Sequence, residues 1–224
     1  MADAASEIDR AAVPSDQTAP VETLDRLFEA AAEVQEYCRS RDWQFCLVGG
    51  LVVMRWSGHR ATKDVDLVIV TPFGEEDTVI GGFYDQFEQR FEDCWEVSQR
   101  TLIVKFSASN GVGVDVALGR SRRLLRMIGR ASSWHVDGHQ LLTSSAEDLV
   151  VNKALSGRPH DWNDIREVVA RQGPALNGEL VMREFIPVLQ QSHHLTDPLA
   201  QLQRNDHHEA IGLLENYLGL APAS

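Results

Sequence analysis

Apolar residues at Leu24, Leu27, Phe28, Ala31, Val34 and Tyr37 recur at three- and four-residue spacing, which predicts an amphipathic helix from Val21 to Arg41. The period then changes. Trp43–Val48 reads as a strand running into Gly49-Gly50, and Leu51–Trp56 as the start of a helix that stops near Gly58. Asp64–Val70 is a buried strand ended by Thr71-Pro72. A helix is expected within Glu75–Phe91, weakened by the Gly81-Gly82 pair. Thr101–Ser107 and Val112–Leu118 are β-rich runs joined by Ser109-Asn110-Gly111, whose Asn-Gly dipeptide signals a hairpin.

His139–Thr143 adds a short strand, and Ser145 or Ser144 is placed to cap a helix opening at Ala146-Glu147-Asp148. Asp161–Arg171 makes another helix, closed by Gly173-Pro174, and Glu179–Gln190 and Pro198–Leu220 read as mostly helical. Residues 1–20 are rich in Ala, Asp, Ser and Pro without periodicity, which predicts a disordered leader that folding does not require. The expected division is a leader over 1–20, a core over 21–144 and a helical region over 145–224. The fold class is α/β (α+β): a mixed sheet flanked by helices, with a helical C-terminal part.

Against that background, Asp64 and Asp66 stand out. They alternate within an apolar run, so in a strand both project to one face, roughly 6–7 Å apart. Asp115 sits in a second such run, Val114-Asp115-Val116. Ionised carboxylates crowded on a buried face repel one another and are costly to desolvate. A hard divalent cation removes that cost, and Mg²⁺, with Mn²⁺ as a substitute, takes oxygen ligands while leaving positions for substrate phosphates. Asp64, Asp66 and Asp115 are therefore the candidate metal ligands. Gly49 and Gly50 permit positive φ and close backbone approach, and the helix that follows offers N–H groups to a phosphate. The Arg60 guanidinium matches phosphate geometry and equally suits an exposed loop.

These residues carry a resemblance. Val48-Gly49-Gly50, Asp64-Val65-Asp66 and Val114-Asp115-Val116 resemble, in order, the glycine turn, the Asp-x-Asp pair and the later acid of the nucleotidyltransferase superfamily. Gly58-His59-Arg60-Ala61-Thr62-Lys63-Asp64-Val65-Asp66 is similar to a run in minimal nucleotidyltransferases and AbiEii-type toxins. So is the later series Glu147-Asp148-Leu149, Lys153, Arg158 and Asp161-Trp162-Asn163-Asp164. The resemblance spans about residues 43–170. It implies the nucleotidyltransferase fold and Mg²⁺-dependent transfer of a nucleoside monophosphate from an NTP such as ATP. The acceptor it implies is a tRNA or other RNA, a protein or a small molecule, and an antitoxin protein is the implied partner. Asp64, Asp66, Asp115 and Lys153 become the expected catalytic residues, and Gly49, Gly50, Arg60, Thr62 and Asp164 the expected nucleotide contacts. On residues alone, Lys153 also suits a solvated helix face, where its loss leaves stability nearly unchanged, and Asp164 a polar face beside Asp161.

A net charge of −12 argues against broad attachment to nucleic acid or anionic membranes. Arg120, Arg122, Arg123, Arg126 and Arg130 nevertheless cluster, either to hold an RNA or as a solvated helix face. Cys38, Cys46 and Cys94 are dispersed, which suits reduced thiols in a cytoplasmic protein. The apolar stretch Phe45–Met54 is too short to cross a bilayer. His193-His194 and His207-His208 are adjacent pairs without chelating i,i+4 spacing. No Walker A or GxGxxG run is present. The rival reading is a catalytically inert, regulatory nucleotide-binding module.

Overall fold

A computed structural model describes residues 21–58, 62–191 and 209–220 of the chain. Its first half runs α1 (Val21–Ser40), β1 (Phe45–Val48), α2 (Gly49–Ser57), β2 (Asp64–Val70), α3 (Glu76–Gln86), β3 (Glu88–Gln89) and α4 (Cys94–Thr101). The hairpin β4 (Ile103–Ser107) and β5 (Gly113–Gly119) follows, then α5 (Arg122–Gly129) and a second hairpin, β6 (Ser132–Val136) and β7 (His139–Thr143). The chain continues through α6 (Ala146–Ser156), α7 (Pro159–Gln172), a short 3₁₀ turn at Gly173–Ala175 and α8 (Gly178–Gln191). A further helix covers residues 209–218. The expected leader over 1–20, Arg60, and the whole stretch 192–208 with the two histidine pairs lie outside the described residues.

The strands form one mixed sheet in the order β3-β4-β5-β2-β1-β7-β6. β1 runs antiparallel to β2, whereas β2 and β5 are parallel, with Asp64 opposite Gly113 and Asp66 opposite Asp115. The architecture is the mixed α/β arrangement expected from the pattern, with several boundaries moved. The helix expected within Glu75–Phe91 ends at Gln86, where Phe87 turns extended and its ring stacks on Phe106 at 4.6 Å. Thr101 belongs to α4, so β4 begins at Ile103. α7 starts earlier than expected, at Pro159, a residue suited to a first helical position because it lacks the N–H that would go unpaired there. Between the two serines, Ser145 is the cap of α6, its hydroxyl accepting from the Asp148 N–H at 3.1 Å.

Alternation along β2 assigns its faces. Val65, Leu67 and Ile69 are buried in the main core with residues of α1 and α2. Val68 and Val70 point the other way and pack with Cys46, Leu124 and Met127 under α5. That helix covers only the far end of this face, so Asp64 and Asp66, on the same side nearer the start of β2, are left outside the apolar layer.

α5 is bound by charge as well as by Leu124 and Met127. Arg126 makes two hydrogen bonds to Glu184, at 2.9 and 2.7 Å. Arg130 likewise grips Asp148 at 2.8 and 2.7 Å and reaches Glu184 at 3.1 Å. Asp148 and Glu184 are buried, so these pairs tie α5 to α6 and α8. Arg123 donates to Asn152 at 2.7 Å, and Arg120 pairs with Glu76 while lying over the Phe73 ring. Four of the five arginines are thus committed to partners within the chain, although Arg120 and Arg126 are also partly solvated. Arg122 remains exposed. All three cysteines are free and buried, and burial pushes the Cys38 and Cys46 thiols up to about 12. Among the described residues, no helix is long and apolar enough to cross a membrane.

Candidate active site

The register of three strands assembles the site. Val48 lies opposite Asp66, so the end of β1 delivers Gly49 and Gly50 against the Asp66 side chain. Gly49 has φ +69°, and a Cβ there would fall 1.9 Å from Asp66 Oδ2. Both facts require glycine. A Cβ on Gly50 would meet Thr62 Oγ1 at 2.5 Å. The Gly50 N–H donates to the Asp66 carboxylate, which supplies α2 with an anion at an N-terminus that the side chain of Val48 cannot cap. The glycine turn therefore seats a carboxylate. Thr62 donates to the Asp64 carbonyl at 3.2 Å, fixing the backbone just ahead of the acids.

Asp66 is the strained member. Burial, then the charge of Asp115, push its carboxyl up to about 6, with Asp64 adding to the rise; the Gly50 N–H and the charge of Lys153 oppose it. Asp64 is exposed at the start of β2. Asp115 has partners of its own. It accepts from Arg90 at 2.9 Å and pairs with Lys105, which lies opposite it on β4. Lys105 and Arg90 were not among the expected site residues. Lys105 could have been found from the Asn110-Gly111 hairpin alone, because that turn sets Ser107 opposite Gly113 and hence Lys105 opposite Asp115. Arg90 carried no comparable sign.

Lys153, on α6, faces Asp66 electrostatically and is held by two acids of α7. Its ammonium lies 2.7 Å from both Asp161 Oδ1 and Asp164 Oδ2. The lysine side chain is 13% exposed and the acids 3% and 4%, so all three belong to the interior and not to a solvated or polar face. Burial works to raise Asp161, but bonds from Lys153 and Ser156 outweigh it and hold the carboxyl below its ordinary range. Asp161 also accepts from the Arg158 N–H at 3.3 Å at the start of α7.

Among the described residues, no three His, Cys, Asp or Glu side chains converge as a ready-made metal centre. Mg²⁺ commonly takes only one or two protein carboxylates, with phosphates and water completing the shell. Asp64 and Asp66, lacking a close cationic partner among the described side chains, with Asp66 raised by burial and by the neighbouring acids, fit that requirement. Asp115 is already engaged by Arg90 and Lys105.

No family model and no curated protein matches the chain. Solved structures to which it is similar include three of different description. An antigenic nucleotidyltransferase-like protein from Paracoccidioides brasiliensis aligns at 18% identity and TM-score 0.47, over 85% of this chain and 94% of that one. The antibiotic-resistance factor ANT(2'')-Ia aligns at 13% identity and TM-score 0.47, over 82% of this chain and 98% of that one. The Thermotoga maritima CCA-adding enzyme, solved with tRNA, aligns at 13% identity and TM-score 0.35, over 88% of this chain and 53% of that one.

Two predictions come from this geometry. With Asp66 up at about 6 and an unfolded carboxyl near 3.8, the native state holds the proton through that window while the unfolded state has released it. Asp66 therefore makes stability fall as pH rises from about 4 to about 6 and then level off. Asp66→Asn keeps an acceptor for Gly50 and should stabilise the protein at about pH 7.5 by on the order of 1–2 kcal/mol, with the gain shrinking towards about pH 4. Urea unfolding at several pH values measures it; a destabilised variant at neutral pH would contradict the crowding. Lys153→Ala should cost about 3–5 kcal/mol by removing the ammonium that both buried acids share. Adding Asp164→Asn should recover part of that loss. A melting temperature unmoved by Lys153→Ala would return the lysine to solvent.

Proposed function

We propose that the chain is a nucleotidyltransferase that moves a nucleoside monophosphate from an NTP to a hydroxyl-bearing acceptor. The observation that carries the reading is the alignment of Asp64, Asp66 and Asp115 on one side of the β2–β5 pair, at the mouth of the Gly49-Gly50 turn. Asp64 and Asp66 would hold Mg²⁺, or Mn²⁺ in its place. A bound divalent ion neutralises triphosphate charge and polarises the reacting phosphorus. Asp115 receives the proton of the acceptor hydroxyl, oriented by Arg90 and Lys105. The hydroxyl oxygen forms a bond to the α-phosphorus, the bond to the β-phosphate oxygen breaks, and pyrophosphate leaves. Lys153, fixed by Asp161 and Asp164, supplies a positioned positive charge facing Asp66; Thr62 fixes the backbone just ahead of the acids, and Arg60, two residues earlier in the sequence, is proposed as a phosphate contact. The chemistry asks for positioning and charge, which these groups provide.

The likeness of the 58–66 run and of the Lys153–Asp164 series to AbiEii-type proteins extends the proposal to the cytoplasmic toxin of a toxin–antitoxin pair, neutralised by an antitoxin protein. A second reading has an observation in its favour. Asp115 and Lys153 both have charged partners already, as a regulatory, non-catalytic nucleotide-binding module would tolerate.

Incubation with each α-labelled NTP, Mg²⁺ and total RNA, protein or small-molecule acceptors separates the two. Transfer of label is expected, and Asp64→Ala or Asp66→Asn should each lower it by at least about a hundredfold while the fold persists. NTP binding without transfer to any acceptor would favour the regulatory module. Full transfer by either variant would remove the carboxylates from the mechanism.

A further inference from the structure

Beside the carboxylates lies a cleft of about 330 Å³, a volume within the usual range for small-molecule sites. The N-terminal part of α1 forms one wall, the β4–β5 turn another, and Lys63, Asp64 and Arg90 the side nearest the catalytic acids. Three of its side chains are cationic, Arg26, Lys63 and Arg90, and Asp64 alone is acidic. That balance is unusual on a chain of net charge −12. Arg26 is tied to the turn by donating to the Asn110 carbonyl, and the Asn110 side chain donates back to the Arg26 carbonyl at 2.8 Å. Two acids of α1 are turned to the same loop: Ser109 binds Glu33 through its N–H at 2.9 Å and its hydroxyl at 3.0 Å, and Asn110 reaches Glu29 at 3.3 Å. The loop thus engages Glu29 and Glu33 of α1 while its own Gly111 and Gly113 open onto the cleft.

Arg90 joins the cleft to the chemistry. Its guanidinium lies over Gly113, where a Cβ would sit 3.1 Å from it, and one nitrogen donates to Asp115 at 2.9 Å. A group seated among these cations would therefore present its far end to Asp115.

We propose that this cleft seats the acceptor, and that the acceptor carries a phosphate group bound by Arg26, Lys63 and Arg90. The inference rests on the nucleotidyltransferase reading and adds no step to it. The acceptor's hydroxyl oxygen bonds to the α-phosphorus, pyrophosphate departs, and the proton goes to Asp115. A cationic acceptor is disfavoured by the same three side chains. A phosphate beside two arginines gains charge-assisted, bidentate hydrogen bonds.

The test is a titration of the full chain without divalent cation, following backbone amide shifts with AMP, a 5′-phosphorylated pentaribonucleotide and spermine as probes. Both phosphorylated probes should move the Gly111 and Gly113 amides, and the combined Arg26→Ala, Lys63→Ala variant should weaken that binding at least about tenfold. Both side chains are exposed, so an unaltered melting temperature checks that this variant is folded. Asp66→Asn should leave the shifts in place, which separates the cleft from the NTP position. Tighter binding of the oligonucleotide would assign the phosphate to a nucleic acid, and equal binding to a small metabolite. Absent shifts, shifts unaffected by the double variant, or spermine binding at the same amides would overturn the inference. Such a failure alongside intact, Asp66-dependent transfer would remove the cleft alone. Phosphate binding without transfer to any acceptor would instead remove the catalytic reading, and with it the acceptor role of the cleft.

Discussion

Everything in the site depends on where the Asp66 carboxylate is forced to sit. Pairing of β1 with β2 places it against Gly49, in space a Cβ would occupy, and pairing of β2 with β5 places it opposite Asp115. It caps α2 through Gly50, which is favourable, and it shares its surroundings with Asp64 and Asp115, which is not. The rise of its carboxyl to about 6 states the net result: burial and the neighbouring acids outweigh what the described groups offer in compensation. A fold retains such a feature at a cost in stability, and sites that do so are candidates for chemistry.

The remaining charges around it are arranged with more compensation. Asp115 has Arg90 and Lys105, and Lys153 has Asp161 and Asp164. Farther out, Arg126 and Arg130 neutralise Asp148 and Glu184 and bind α5 to α6 and α8. On the proposed reading, Asp64 and Asp66 are where an added cation would gain most. The apolar face of α5, through Leu124, Met127 and Ile128, packs over Val68 and Val70 and does not reach them.

Much of this was legible in the sequence because it is local. The period change at Trp43, the glycine pair, the alternating acids and the Asn-Gly turn each specify their own backbone, and the strands and turns formed where they pointed. What the sequence withheld depends on long-range register. β7 pairs parallel with β1 at Leu47 and Thr143, and nothing near either strand announces it. That pairing starts α6 beside the sheet, and through α6 the Lys153 ammonium comes to face Asp66. A lysine and two aspartates on helical segments look solvated until the packing of α6 on α7 encloses them. The arginines of α5 looked like a surface for the same reason, since their partners lie 18 to 58 residues away. Lys105 was the exception: long-range in effect, yet readable by counting outward from the hairpin turn.

On the proposed reading, Asp64 and Asp66 form a cation site whose availability follows the ionisation of Asp66. Thermal unfolding with and without Mg²⁺ tests it without reference to catalysis, because a ligand that binds only the folded state raises the melting temperature. At about pH 7.5 the cation should raise the melting temperature of the wild-type chain. The increment should shrink below about pH 6, as Asp66 takes up its proton, and be largely lost in Asp66→Asn at every pH. An increment of equal size in Asp66→Asn, or none in the wild type at neutral pH, would contradict the account.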